Sequence, residues 1–327
     1  MSGIQGAFQS FRSFAPPPEP PPPNTAAWFG GGYTYNGSYY WSISTVQRIT
    51  FATDTAASSV RGPLSSTASH NLAAAGNTTD GWFGGGRRIN VPAPTGARST
   101  VDRITYATDT ATASVRGPLS STRYNLAAAG NTTDGWFGGG QGSSRVDRIT
   151  YTTDTATASV RGPLSAALGQ VTAAGNTTDA WFGGGYRYFT TVSRITYTTD
   201  TATASVRGPL SIYAFAITAA GNTTDAWFAG GRGSYGDMIA ISNVQRITYA
   251  TDTAATSTRG PLNVARYALG GASNATDGWF GGGTPAAVSA DLSTVSRITY
   301  ATDTATAVAR GPLSAQAIRL AAAGGIQ

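Results

Sequence analysis

The chain consists of six copies of one cassette, and this repeat constrains its fold more than any other feature. Each copy begins with Trp-Phe and a glycine-rich segment, continues with Arg-Ile-Thr and closes with Arg-Gly-Pro-Leu. The tryptophans are Trp28, Trp82, Trp136, Trp181, Trp227 and Trp279, with spacings of 54, 54, 45, 46 and 52 residues. A unit recurring at this interval cannot bury its apolar face alone and must stack on its neighbours. The sequence therefore predicts a single stacked array.

Each cassette has the pattern of four short strands. Small residues form the first strand, and larger β-branched and aromatic residues follow in the later strands, which suits strands that diverge from a crowded axis. Asn-Thr-Thr-Asp and Asp-Thr segments separate them and are typical of turns. In the third copy we predict strands at 126–130, 135–140, 146–151 and 156–160. Six four-stranded cassettes predict an all-β, six-bladed β-propeller.

The two ends of the array are complementary. The stretch at Trp28 is the second strand of a blade that lacks its first, and residues 319–324 are a first strand without a blade. Pairing the two would complete one blade from both termini and remove the open edges of an unfinished sheet. We therefore expect a closed ring.

Three features of the cassette resemble the kelch repeat, and specifically the kelch-like structural proteins of marine cyanophages. These are the aromatic-aromatic-Gly-Gly segment, the third strand that ends in Tyr before an Asp turn, and the Pro-containing end of the fourth strand. The resemblance covers about residues 24–327 and departs at Val115 and Val160, where a fourth-strand Trp is common. It implies a propeller with a tail-fibre or appendage role in the virion.

The segment ahead of the array differs in kind. Residues 16–23 are nearly pure proline, which predicts a stiff polyproline II linker between residues 1–15 and the propeller at 24–327. Residues 1–15 contain Phe8, Phe11 and Phe14. Two interpretations remain open: a disordered tail, or an anchor peptide whose phenylalanines dock on another subunit. We find no secretory signal, so we expect synthesis in the host cytoplasm.

Side chains for catalysis are scarce. The chain has no Cys, no Lys, one Glu and one His, His70, which lies in a variable link and is expected to be a solvent-exposed loop residue. Eleven of the fifteen Asp occupy two repeated turn positions, which indicates turn builders or partners of the repeated arginines. Asn-Thr-Thr-Asp lacks the ligand spacing of a calcium loop. We expect no enzymatic activity, no cofactor and no metal.

The links between strands are either repeated or variable. In an up-and-down blade the first-to-second and third-to-fourth turns open on one face, and the other links open on the opposite face. We call these the repeated face and the variable face. The variable links carry the residues that we predict to bind a partner: Tyr33, Tyr35, Tyr39, Tyr40, Trp41, Arg87, Arg88, Tyr186, Arg187, Tyr188, Arg232 and Tyr235.

Positive charge is also concentrated in the variable links. Twelve of the 22 Arg are repeated and one lies in the tail, which leaves nine in these links. Four Asp oppose them, so five of the formal +6 charges are expected there. Tyr and Arg are enriched at binding surfaces, and positive charge favours an acidic partner. The alternative is that long loops have simply drifted.

These features favour a non-enzymatic virion protein that anchors to other subunits through residues 1–23. Its variable face would bind an acidic host-surface polysaccharide or a neighbouring virion protein, since aromatic rings stack on sugars and Arg pairs with carboxylate or sulfate. The alternative is a cellular kelch-type scaffold that binds a protein. We expect no membrane partner, and no recognised motif supports nucleic-acid binding.

Overall fold

The structure, a computed structural model, describes residues 25–35, 39–65, 69–89, 96–186, 189–233, 239–285 and 291–324. The predicted anchor at 1–15 and linker at 16–23 lie outside these ranges, as do Arg187, Tyr188 and Tyr235. Within these ranges, no helix has the length and apolar character needed to cross a membrane.

The described blade strands follow the same order in every cassette, and the first two cassettes also contain a short two-stranded sheet. The first contains β1 (Ala26–Gly30), β2 (Tyr33–Tyr35), β3 (Tyr40–Ser42), β4 (Val46–Thr50) and β5 (Ser59–Arg61). The second contains β6 (Ala73–Gly76), β7 (Asp80–Gly84), β8 (Arg87–Arg88), β9 (Gly96–Ala97), β10 (Val101–Thr105) and β11 (Ser114–Arg116). The third contains β12 (Leu126–Gly130), β13 (Asp134–Gly139), β14 (Val146–Thr150) and β15 (Ser159–Arg161).

The remaining cassettes continue the pattern. The fourth contains β16 (Thr172–Gly175), β17 (Asp179–Gly183), β18 (Val192–Thr196) and β19 (Ser205–Arg207). The fifth contains β20 (Thr218–Gly221), β21 (Asp225–Ala229), β22 (Val244–Thr248) and β23 (Ser257–Arg259). The sixth contains β24 (Gly270–Ser273), β25 (Asp277–Gly281), β26 (Val295–Thr299) and β27 (Val308–Arg310), and β28 (Ala321–Ala323) ends the described chain.

Six antiparallel four-stranded sheets form the blades of a closed propeller. Five have strands in sequence order, as in β12-β13-β14-β15, whereas blade 1 has the order β28-β1-β4-β5. In blade 1, Trp28 lies opposite Ala323 and Gly30 opposite Ala321. The predicted six-bladed propeller, closed by strands from both ends of the array, is confirmed.

Side-chain size explains why each blade has this order. The innermost strands contact one another around the axis, and their Ala and Gly residues line two narrow cavities of about 120 and 100 Å³. Only small side chains fit where six strands converge. At the periphery, Val60, Val115, Val160, Val206 and Val308 are exposed on the outermost strands.

Aromatic side chains hold neighbouring blades together. Trp82 is fully buried, and its ring stacks on Tyr151 of the next blade with centroids 3.8 Å apart. The same stack recurs around the ring, with Phe51 replacing Tyr in the pair with Trp279. Because each Trp ring is covered by an aromatic ring of the next blade, no cassette can bury its core in isolation.

The repeated aspartates join the blades electrostatically. Asp200 accepts a hydrogen bond from the Trp136 indole at 2.9 Å, and the same oxygen lies 3.1 Å from Arg148 Nη1 and 3.3 Å from Arg161 Nε. All three partners belong to the preceding blade. The prediction that these aspartates are partners of the repeated arginines is therefore confirmed.

The Asn-Thr-Thr-Asp segments form hairpin turns, as predicted. The Asn131 side-chain oxygen accepts hydrogen bonds from the backbone N–H groups of Thr133 and Asp134, each at 2.9 Å. Asp134 in turn accepts a hydrogen bond from the Thr150 hydroxyl at 2.6 Å. The side chains of Asn131 and Asp134 are therefore engaged by groups of their own blade.

Three of the four strands predicted in the third copy have different bounds in the structure, and the second, β13, is offset by one residue from 135–140. Tyr151 was expected to end the third strand, but it begins a one-turn 3-10 helix, and the fourth strand is shorter than 156–160 and starts at Ser159. The turn places the Tyr ring over the Trp of the preceding blade, a contact that strand periodicity alone does not specify. The six such helices are Phe51–Thr53, Tyr106–Thr108, Tyr151–Thr153, Tyr197–Thr199, Tyr249–Thr251 and Tyr300–Thr302.

Candidate functional site

The variable links meet on one face of the ring. Backbone bridges join the link after a blade's second strand to the link between blades: His70 pairs with Arg87, and Phe215 with Arg232. On the opposite face, Tyr106 N–H donates to the Thr79 carbonyl at 2.9 Å and so joins the two repeated turns of one blade. The variable links therefore lie on one face of the ring and the repeated turns on the other, as the blade geometry predicts.

A ring of six residues with positive φ encircles the mouth of the axial channel on the variable face. We call it the axial belt; its members, one ahead of each inner strand, are Asn71, Asn125, Gln170, Ala216, Ala268 and Arg319, with φ between 52° and 60°. Five backbone hydrogen bonds of 2.7 to 3.0 Å join successive members. Side chains other than Asn seldom adopt this conformation, so these bonds offset local strain.

A cavity of about 280 Å³ lies at the axial belt. Its described lining combines belt residues with residues from the variable links: Gln170, Tyr186, Phe215, Ala216, Arg232, Tyr267 and Arg319. Three of these are aromatic, two are cationic and none is acidic. We call it the axial cavity.

The aromatic walls of the axial cavity are fixed by contacts with one another. Tyr186 packs edge-on against Phe215, with ring centroids 5.6 Å apart. The Arg232 guanidinium lies over the Tyr267 ring, 3.7 Å from its centroid, and donates to the Tyr267 hydroxyl. Stacking of this kind holds the cation in place.

Arg319 provides the second cation of the axial cavity. Its Nη1 donates to the Asn71 side-chain oxygen at 3.2 Å, and its guanidinium carbon lies 5.9 Å from the Tyr33 ring centroid. Among the described residues, no carboxylate lies within 4.0 Å of its nitrogens. The groups that contact the Arg319 guanidinium, the Asn71 side chain and the Tyr33 ring, are therefore neutral.

Gln170 contributes an acceptor to the axial cavity. Its backbone N–H donates to the Asn125 carbonyl at 3.0 Å as part of the axial belt. Its side-chain Oε1 is buried and has no hydrogen-bond partner among the described residues. A buried acceptor that receives no hydrogen bond lowers the stability of the folded protein unless a further group supplies a donor.

The hairpin β2–β3 lies beside this region. Tyr39 and Tyr40 are 59% and 49% exposed, whereas Tyr33 is partly buried and packs edge-on against Tyr40 at 5.1 Å. Burial raises the pKa of Tyr33, and the charge of Arg319 opposes that rise. Tyr35 donates its backbone N–H to Asp291 at 3.1 Å, and Trp41 is half-buried. Tyr39 and Tyr40 are therefore the most exposed residues of this group.

His70 is buried, which corrects the expectation of an exposed loop residue. It is 2% exposed, its Nδ1 lies 2.9 Å from Ser42 Oγ, and its ring packs edge-on against Tyr33. Burial, followed by the charges of Arg319 and Arg87, lowers the pKa of His70 to about 3. The imidazole is therefore neutral and serves as packing under the hairpin.

Two link arginines are also buried, which corrects the expected placement of positive charge. Arg123 is 3% exposed and pairs with Asp147 at 2.6 Å. Arg266 is fully buried and donates to the Phe280 carbonyl at 2.8 Å and to Ser296 Oγ at 2.6 Å. Burial lowers the pKa of Arg266 to about 10. Neither side chain is displayed on the variable face, because both fasten links to the blade beneath.

The remaining predicted residues are divided between β8, the axial cavity and the residues outside the described ranges. Arg87 and Arg88 form β8, and the Arg87 guanidinium lies 5.4 Å from the Tyr124 ring centroid. Tyr186 and Arg232 lie together at the axial cavity. Gln170 carries no charge and belongs to a variable link, so the sequence offers one signal for it, its place just ahead of an inner strand.

The described residues were also compared with the requirements of a metal site. Among the described residues, no three His, Asp or Glu side chains are grouped as a metal ion would require.

No protein-family model and no curated protein matches the chain. Among solved structures, that of YjhT is similar, with a TM-score of 0.68 over 88% of this chain and 99% of that one. The sequences are 10% identical, so the likeness concerns the fold alone. Propellers carry many unrelated functions, and function must be argued from the site.

Proposed function

We propose that this chain is a non-enzymatic binding protein that presents its variable face to a partner. The observation that carries the proposal is the contrast between the two faces. One consists of near-identical hairpin turns, and the other carries the exposed tyrosines of the β2–β3 hairpin and the aromatic and cationic lining of the axial cavity. Tyrosine and arginine anchor many interfaces because they combine apolar area with directional polar contacts.

The more specific proposal is an adhesion or structural protein of a virus particle. It draws support from the resemblance of the cassettes to the kelch-like structural proteins of marine cyanophages. Residues 16–23 would space the propeller from the particle, and Phe8, Phe11 and Phe14 would dock on other virion subunits. The variable face would then contact a host-surface glycan or a neighbouring virion protein.

The experiment examines purified particles by quantitative mass spectrometry and compares wild-type protein with a chain that lacks residues 1–15. Wild type is expected in particles at a fixed copy number, and the truncated protein is expected to fold but be absent from them. Detection of the wild-type protein only among cellular proteins would contradict the virion role and favour an intracellular scaffold. Normal incorporation of the truncated chain would contradict the anchor role of residues 1–15 but not the virion role.

The binding face is tested in the same particles. Replacing both Tyr39 and Tyr40 by Ser removes exposed rings without touching the blade cores, so folding should be retained while adsorption to host cells falls. The matched control is Thr132→Ala, an exposed change on the repeated face that should leave adsorption unchanged. Unaltered adsorption of the double variant would show that attachment does not use this edge of the variable face.

A further inference from the structure

We propose that the axial cavity is a binding site for a single acidic sugar residue. The inference rests on the proposed function, in that it gives the variable face a specific ligand class. The juxtaposition that carries it is a cation, a buried acceptor without a partner among the described residues, and aromatic walls, all lining one partly open cavity.

The size of the axial cavity limits the ligand. A volume of about 280 Å³ is near the lower end of the range of roughly 300–1,000 Å³ for small-molecule pockets. It suits one sugar ring and is too small for a folded peptide. A longer glycan would place only one residue here and would extend over the neighbouring links.

The charge of the axial cavity sets the sign of the ligand. Arg319 is held by the neutral Asn71 side chain, and no carboxylate of the described chain pairs with it. Its field is felt nearby, since it helps to lower the pKa of His70. A carboxylate or sulfate group could accept hydrogen bonds from this guanidinium, and such charge-assisted bonds are the strong ones.

The remaining groups favour a sugar over an inorganic anion. The Gln170 Oε1 atom lacks a donor among the described residues, and a sugar hydroxyl would supply one. Tyr186 and Phe215 form an aromatic wall against which the apolar face of a pyranose can pack. Arg232, stacked on Tyr267, lines the cavity as its second cation.

The test measures binding of small ligands to the full-length protein by isothermal titration calorimetry. The probes are glucuronate for a carboxylate, glucose 6-sulfate for a sulfate, and glucose and inorganic sulfate as the two partial ligands. One or both acidic sugars should bind, and each partial ligand should bind at least about tenfold more weakly. Which acidic sugar binds better identifies the anionic group. Equal binding of glucose, equal binding of inorganic sulfate, or binding of neither acidic sugar would overturn the proposal.

Variants locate the binding to the cavity. Gln170→Glu is nearly isosteric and places a negative charge beside the ligand, so it should weaken glucuronate binding by roughly tenfold or more. Arg319→Gln should do the same, while Arg319→Lys should retain part of the binding. The matched control is Arg145→Gln, an exposed arginine on the same face outside the cavity lining. Thermal unfolding confirms that each variant is folded.

Equal loss in the Arg145→Gln control would contradict the assignment to the cavity, as would unchanged binding in both Gln170→Glu and Arg319→Gln. The outcome is separable from that of the proposed function. If the acidic sugars fail to bind while the Tyr39 and Tyr40 double variant still impairs adsorption, the cavity assignment is wrong and the binding face stands. If the cavity binds glucuronate but particles lack the protein, the virion role is wrong and the cavity assignment stands.

Discussion

The Trp279 indole N–H donates to the Asp54 carboxylate at 2.9 Å, although the two residues are 225 positions apart in the chain. The same carboxylate oxygen lies 3.1 Å from Arg297 Nη1 and 3.2 Å from Arg310 Nε. The last blade and the first are thus joined by the same Trp–Asp hydrogen bond and Arg–Asp ion pairs as other successive blades, although Phe51 replaces Tyr in the aromatic stack.

Asp54→Ala should therefore destabilise the propeller as much as Asp200→Ala, its counterpart between blades 3 and 4. Each substitution leaves two arginines without their shared carboxylate, at a cost of about 3 kcal/mol. Urea unfolding of both variants checks the prediction. A loss confined to Asp200→Ala would mean that the first and last blades are not joined in solution.

Removing β28 should have a larger effect than its length suggests. A chain that ends at residue 318 lacks the strand that pairs with β1, so it exposes the edge of β1 and the core beneath it. We expect a fall in the melting temperature of the whole domain. A chain that ends at Gly324 keeps the strand and is the matched control. An unchanged melting temperature for the shorter chain would contradict closure through β28.

The glycine of each Arg-Gly-Pro segment marks a close approach between blades. A Cβ atom at Gly162 would lie 1.9 Å from the Ala202 carbonyl oxygen of the next blade. Gly162→Ala should therefore cost about 3 kcal/mol or more, because backbone cannot yield as a flexible side chain can. Gly96→Ala is the control, since nothing lies within 4 Å of the added atom. Equal stability of the two variants in urea would show that the blades can separate without penalty.

Much of the fold could be predicted from the sequence because the repeat shows which contacts recur. Asp200 and Arg148 occupy constant positions, which indicates a structural pair before any geometry is known. The structure of the variable links could be predicted less well, because their residues do not recur between copies. Arg266 and His70 were placed at the surface because loops are usually exposed, yet both are buried by neighbouring links from other parts of the chain. Gln170 went unnoticed because its significance depends on the cavity that distant blades enclose.

The buried state of His70 predicts a specific pH dependence of stability. Its folded pKa, about 3, is below the unfolded value of 6.5, so the unfolded chain binds the additional proton between these pH values. Stability is therefore lost as pH falls from 6.5 towards 3, by up to about 1.4 kcal/mol per pH unit from this group. Urea unfolding at pH 7.5 and 4.5 should show a larger loss for wild type than for His70→Gln. Identical losses would contradict a buried neutral imidazole.

Because the chain lacks cysteine, a single introduced thiol can test directly whether binding uses the variable face and not the repeated face. Ala167→Cys places one thiol on an exposed link near Gln170, and Thr132→Cys places one on an exposed repeated turn. Each purified protein is coupled to a bulky maleimide polymer, and its attachment to host cells is measured. We predict that the polymer at position 167 blocks attachment and that the same polymer at position 132 does not. Blockage at position 132 with normal attachment at position 167 would contradict the account.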